Sequence, residues 1–285
     1  MGLGGWLIGL AIGTALAAAP GPAPQRFAYG AEASQFGELW LPQAPAGPSP
    51  VAVLLHGGCW RASYGLDLMQ PLAADLRERG VAVWNNEYRR LGESGGGYPG
   101  TFADVGAAFD ALRGLAARYP IDLHRLAAIG HSAGGQLALW AAGRPRLPAD
   151  SALKTPDPLA PGFVVTLAGI DDLAAYHDRG PACGRAATID ALIGAGARGP
   201  AAYADTSPRW LLPLHVPQLI VSGERDGIVP ADFGRDYAAA ATAAGDDARR
   251  LDLPGADHFT LIDPQSAAWR AVRERLLAVL LGGNR

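Results

Sequence analysis

The chain has 285 residues, 49% of them hydrophobic, enough to bury a large core, and no low-complexity linker divides it, so one catalytic domain is the expected count. Its 24 Lys and Arg against 27 Asp and Glu give a net charge of −3 with no dense basic run, which excludes the electrostatic footprint of a nucleic-acid binder. No repeat of fixed period is present, which sets aside solenoids and propellers.

In chain order, residues 6–19 form a run of apolar and small residues that ends in Ala17, Ala18 and Ala19 and breaks at Pro20, Pro22 and Pro24. Such a run reads as a signal peptide h-region, cleavage region and mature start, so residues 1–24 are expected to be a leader and the protein secreted or periplasmic. No Lys or Arg precedes the run, so an uncleaved anchor is the alternative, and membrane contact is expected only in that case.

Residues 25–285 read as the catalytic domain. Segments 27–29 and 37–41 suit an opening strand pair, and 51–55 is a continuous apolar run fit for a central strand. A helix is expected over 66–79, stopping at Gly80, then a buried strand over 81–84. Residues 101–118 are helical, with Phe102, Val105, Phe109, Leu112 and Leu115 on one face. Further strands are expected at 126–129, 163–167, 218–221 and 249–253, with helices at 136–142, 232–244 and 266–281. Strands alternating with helices imply a mostly parallel sheet covered on both faces, with ligands at the carboxyl ends of its strands. The stretch 171–206 is long for a plain connection and is expected to form a small helical lid.

Gly130-His131-Ser132-Ala133-Gly134 lies between the apolar run 126–129 and the helical pattern 136–142. A sharp strand-to-helix turn lifts a serine clear of its neighbours, and only small flanking residues tolerate that backbone, so Ser132 is the candidate nucleophile. Gly92-Glu93-Ser94-Gly95-Gly96 matches the same GxSxG pattern, but it follows a charged segment, has no helix behind it, and reads as a loop.

His56-Gly57-Gly58-Cys59-Trp60 starts at the carboxyl end of the 51–55 strand. The amides of Gly58 and Cys59, with that of Ala133, are the expected donors to a developing oxyanion. His56 is assigned a structural hydrogen bond to the loop backbone. A base should follow the nucleophile and the acid in the order Ser, acid, His. His258 lies just beyond the 249–253 strand, whereas His177 falls in the insertion and His215 at the amino end of the next strand. Asp226 follows the 218–221 strand on a tight loop and is preferred as the acid over Glu224 and Asp257. Trp60, Tyr88 and His131 are placed at the substrate pocket, with buried packing the competing role for Trp60 and Trp84. The only two cysteines, Cys59 and Cys183, either pair as a disulfide or remain two small hydrophobes.

HGGCW, GHSAGG, GERDGIVP and GADHF, in this order, resemble the alpha/beta-hydrolase superfamily over nearly all of the chain after the leader. The HGGCW and GHSAGG segments look like the branch of bacterial carboxylesterases and kynurenine formamidase-like enzymes. Cys59 departs from hormone-sensitive-lipase-like esterases, which have a third glycine there. The resemblance implies the alpha/beta-hydrolase fold, a Ser132, Asp226 and His258 triad, and an oxyanion loop at Gly58 and Cys59. The expected activity is hydrolysis of carboxylic esters of small to medium size through an acyl-enzyme, on a small-molecule substrate. An arylformamidase-like amide hydrolase, a secreted serine peptidase and a catalytically silent binding protein are the alternatives. No metal-ligand spacing or phosphate-cradling loop is present, so no metal and no cofactor are expected.

Overall fold

The computed structural model describes residues 22–43, 45–184 and 186–282. The leader expected at residues 1–24 lies, up to residue 21, outside the described residues. Eight strands, β1 (Gln25–Ala28), β2 (Phe36–Trp40), β3 (Ser49–Leu55), β4 (Ala82–Asn86), β5 (Ile121–His131), β6 (Phe163–Leu167), β7 (Gln218–Gly223) and β8 (Ala248–Leu253), make one sheet in the order β1-β2-β4-β3-β5-β6-β7-β8. The pairs β1/β2 and β2/β4 are antiparallel and every other neighbour is parallel.

Every residue of β3, β4, β6 and β7 is buried. Because successive side chains in a strand point to opposite faces, unbroken burial means that both faces of the sheet are covered, which is why these strands read as continuous apolar runs. The covering helices are α1 (Gln70–Arg77), α2 (Gly100–Ala116), α3 (Ala133–Gly143), α4 (Leu173–Arg179), α5 (Ala186–Ile193), α6 (Ala195–Arg198), α7 (Ala231–Ala243) and α8 (Ala267–Leu281). Asp75 ties α1 to α8, accepting from Trp269 Nε1 at 2.8 Å and pairing with Arg273 at 2.8 Å. On α3 every residue is buried, and Trp140 packs edge-on against Phe102 of α2 with ring centroids 5.2 Å apart.

Side-chain caps set two of the helix starts. Asp172 accepts from the amides of Ala174 and Ala175 at the head of α4, and Ser266 accepts from Trp269 N at the head of α8. Helices α4, α5 and α6 fill the insertion between β6 and β7, burying Leu173, Tyr176, Ile189, Leu192 and Ile193. Among the described residues no helix is long and apolar enough to cross a membrane.

Because β3, β5, β6, β7 and β8 are parallel, the loops that leave their carboxyl ends meet at one edge of the sheet. Those loops carry residues 56–60, Ser132, Asp171, Asp226 and His258.

Candidate active site

β5 ends at His131 and α3 starts at Ala133, so Ser132 alone makes the turn, with φ 56° and ψ −119°. A non-glycine residue held in such a region costs roughly 1–3 kcal/mol, so its surroundings must fix it. Ser132 N donates to Leu167 O at 2.9 Å, and its carbonyl accepts from Gly135 N at 2.9 Å and Ile170 N at 3.1 Å. The motif glycines are a consequence of crowding. A Cβ on Gly130 would meet the carbonyl oxygen of Gly134, and one on Gly134 would meet that of Leu55 at the end of β3. The side chain makes no capping hydrogen bond to α3 and, among the described residues, no other hydrogen bond, leaving the hydroxyl free at the positive end of the helix dipole.

The competing Ser94 is exposed in a loop without regular structure. Its neighbour Glu93 is engaged by Arg90 at 2.9 Å and Ser34 at 2.6 Å, which gives that segment a structural role.

His258 Nδ1 lies 2.7 Å from Asp226 Oδ2, and both residues are buried. The other Asp226 oxygen accepts from the amides of Ile228 and Val229, both at 2.8 Å, so the carboxylate is fixed before it meets the imidazole. The two loops are stitched together: Arg225 N donates to Ala256 O at 2.8 Å, and Gly255 N donates to Glu224 Oε2 at 2.8 Å. Glu224 thus supports the loop that carries His258. Asp257 accepts from Phe259 N, Thr260 N and the Thr260 hydroxyl, whose donation holds its carboxyl below the usual range. His177 sits in α4, paired with Asp178 at 2.9 Å, and His215 precedes β7 at the opposite edge of the sheet.

His131 is only 2% exposed, and its Nε2 lies 3.0 Å from the carbonyl oxygen of His258. The two rings are 4.5 Å apart. Burial first, and the neighbouring His258 charge second, push the His131 pKa down to about 3. It is therefore neutral, donates from Nε2, and fastens the His258 loop to the Ser132 turn. Trp60 and Tyr88 are fully buried as well; Trp60 Nε1 donates to Gln136 Oε1 at 3.1 Å and Tyr88 Oη to His56 O at 2.8 Å. Trp60, Tyr88 and His131, expected at the substrate pocket, are thus buried residues, with Trp60 Nε1, Tyr88 Oη and His131 Nε2 engaged by protein groups and His131 Nδ1 without a partner among the described residues.

The loop after β3 lies against the elbow. A Cβ on Gly57 would come 2.8 Å from His131 Nδ1 and 3.1 Å from Ser132 Cβ. Gly58, Cys59 and Trp60 have φ of 104°, 54° and 55°. Among the described residues the amides of Gly58, Cys59 and Ala133 donate to no protein acceptor. Three unused donors near one serine are suited to a transient negative charge. Beneath the loop, His56 Nδ1 lies 2.7 Å from Gly57 O and Nε2 2.8 Å from Glu87 Oε1, with the Tyr88 ring stacked 4.4 Å away. Glu87 also accepts from the amides of Leu66 and Tyr88 and meets Arg90 at 3.0 Å. Cys59 is disulfide-bonded to Cys183, Cα to Cα 5.3 Å, which decides between the two sequence readings.

Three positions escaped the sequence reading. Glu87 was signalled only by a charge directly after a buried strand. Gln136 joins two layers, accepting from Trp60 and donating from Nε2 to Thr206 O at 2.8 Å. Asp171, beyond β6, is 1% exposed, has Oδ1 without a partner, and is pushed by burial up to about 7. Among the described residues no group of three or more His, Cys, Asp or Glu side chains is placed to hold a metal ion.

The sheet order, the elbow and the three loops define an alpha/beta-hydrolase fold. The chain belongs to the BD-FAE family, whose model matches residues 38–240. No curated protein matches it. Among solved structures, a truncated carbohydrate esterase from gut microbiota is similar at 21% identity and TM-score 0.77, over 93% of this chain and 99% of that one. Esterase B from Lactobacillus rhamnosis superposes with a TM-score of 0.76 at 20% identity, covering 90% of this chain and 85% of its own. Thermogutta terrifontis esterase 2 phosphoramylated by tabun gives 0.71 at 19% identity, over 90% and 94%.

Proposed function

We propose that the protein is a serine hydrolase that cleaves carboxylic esters of small to medium size through an acyl-enzyme. The observation that carries this reading is the 2.7 Å pairing of His258 with an Asp226 already anchored by two amides, at the edge where the strained Ser132 turn sits. Ser132 Oγ attacks the acyl carbonyl while His258 Nε2 takes its proton, and Asp226 stabilises the imidazolium that results. The Gly58, Cys59 and Ala133 amides receive the oxyanion. Collapse expels the alcohol with the proton from His258, and a water activated by the same ring releases the acid and restores Ser132.

The esterases among the structural relatives support ester over amide cleavage, and the Cys59–Cys183 disulfide supports an exported enzyme, since such bonds persist in oxidising compartments. Residues 171–206 are assigned as the lid over the acyl and alcohol sites. Nitrophenyl esters of graded acyl length, assayed beside N-formylkynurenine, read the preference. Ser132→Ala, His258→Ala and Asp226→Asn should each lower kcat by about 10³-fold or more with the fold retained. A fluorophosphonate should label Ser132 alone. Normal turnover by Ser132→Ala, or labelling elsewhere, refutes the assignment.

A further inference from the structure

Resting on the ester-hydrolase reading, we propose that Cys183 is a positioning residue. Through its disulfide to Cys59 it holds the loop that receives the oxyanion, so that turnover depends on the cross-link. Gly58, Cys59 and Trp60 are three successive residues with positive φ, and two of them carry side chains that disfavour this region. A loop in that state needs holding from outside. Non-covalent anchors reach it at Trp60, through Gln136 Oε1 and through Leu91 N donating to Trp60 O at 2.7 Å. At Cys59, whose amide is a proposed donor, the anchor is the disulfide, which joins residues 124 apart in sequence.

The other end of that anchor is itself tied to the catalytic edge. Cys183 follows α4, and in α4 the Tyr176 hydroxyl donates to Ile228 O at 2.8 Å. The Ile228 amide in turn holds Asp226. Residues 176–183 therefore run as a strap from the acid loop to the oxyanion loop, one on either side of the chemistry. Arg61 adds a non-covalent stitch beside the bond, donating to Thr188 Oγ1 at 2.8 Å and to Cys183 O at 3.4 Å. Both cysteines are partly exposed, so a small dithiol can reach the bond. Its reduction is a two-electron exchange: the S–S bond breaks, the dithiol closes into its own disulfide, and Cys59 and Cys183 each take up one proton as thiols.

The test compares wild type, Cys183→Ser and wild type reduced with dithiothreitol in native buffer, all at a temperature well below their melting points. The expected result is a fall of at least tenfold in kcat on a nitrophenyl ester, with KM changed less than threefold. The inhibition constant of phenylboronic acid, which places a tetrahedral oxyanion mimic in the site, should rise by a similar factor. Reoxidation should restore the wild type, and Cys183→Ser should ignore dithiothreitol. Full kcat in either folded form overturns the proposal, whatever happens to the melting temperature. Unfolding of both, seen by circular dichroism, also overturns it, because the bond is then a fold staple. Ser132→Ala in the same assay separates the two readings: if it turns over normally the serine mechanism fails, whereas an inert Ser132→Ala beside a fully active Cys183→Ser removes the positioning role alone.

Discussion

Asp171→Asn should change how stability depends on pH without touching the reacting groups. In the folded protein the Asp171 carboxyl is buried, keeps one hydrogen bond from Thr166 Oγ1 at 3.1 Å, and leaves Oδ1 unpartnered. Burial raises it from the ordinary carboxyl value of 3.8 to about 7, with the Asp172 charge adding to the rise. Between those two values the folded chain keeps a proton that the unfolded chain has lost, so the native state binds more protons and stability falls as pH rises through the window. At ~1.4 kcal/mol per pH unit, the loss accumulates to roughly 4 kcal/mol by pH 8. Asparagine cannot ionise, so it removes this slope, while any cost of its unpaired amide is constant with pH. Urea unfolding of both proteins from pH 4.5 to pH 8.5, disulfide intact, gives the difference in stability at each pH, and every shared titration cancels in it. The difference should move in favour of the variant by roughly 3 kcal/mol across the range, about 1 kcal/mol of the total having been lost below pH 4.5. A difference that stays flat within about 1 kcal/mol refutes the burial argument.

Glu87→Gln removes the carboxylate that meets His56 and Arg90 inside the protein and should cost about 1–3 kcal/mol, measured by denaturant unfolding, because buried hydrogen-bonding groups lose a charged partner. Gly134→Ala forces a methyl onto the Leu55 carbonyl and should lower the melting temperature by about 6 °C or more, whereas Gly114→Ala, on an open face of α2, should lower it not at all. His131→Phe deletes the donor to His258 O and should slow turnover about tenfold. The acid limb of kcat/KM against pH should stay in place, since a group held near 3 adds no inflection in the working range; a displaced limb would show that His131 titrates there.

The parts of the fold that were readable in the sequence are those where burial is one-dimensional. β3, β4, β6 and β7 are buried along their whole length and so read as apolar runs. The start of β5 is not legible because residues 121–125 include the polar Asp122, His124 and Arg125; Ile121 and Asp122 pair with Ser49 and Pro50, and a register shift separates them from the apolar run that begins at Leu126. Ser132, Asp226 and His258 were legible because each follows a strand that points the same way, so chain order predicts spatial edge. Trp60 and Tyr88 also follow strands, yet they face inward. An aromatic side chain at a strand end has the same sequence signature whether it lines a pocket or closes a layer, and only the partners of Nε1 and Oη distinguish the two. The extent of α4, α5 and α6 was not legible because Ala and Gly there carry little hydrophobic contrast, and α6 buries none of its residues. Asp171 and Glu87 were missed for a related reason: a carboxylate has no sequence mark for the dielectric it will occupy.

The burial of every residue of α3 has a kinetic meaning. A helix with no solvent-facing side has no local route to exchange its amide protons, so its protection follows opening of the whole domain, while the thinly packed α6 can fray at far smaller free energy. Partially opened forms of the chain should therefore keep the Ser132 turn formed, since it is built on the end of a fully buried helix. Damage by heat or protease should begin in the segment between β6 and β7, with the Ser132 turn among the last features of the molecule to be lost.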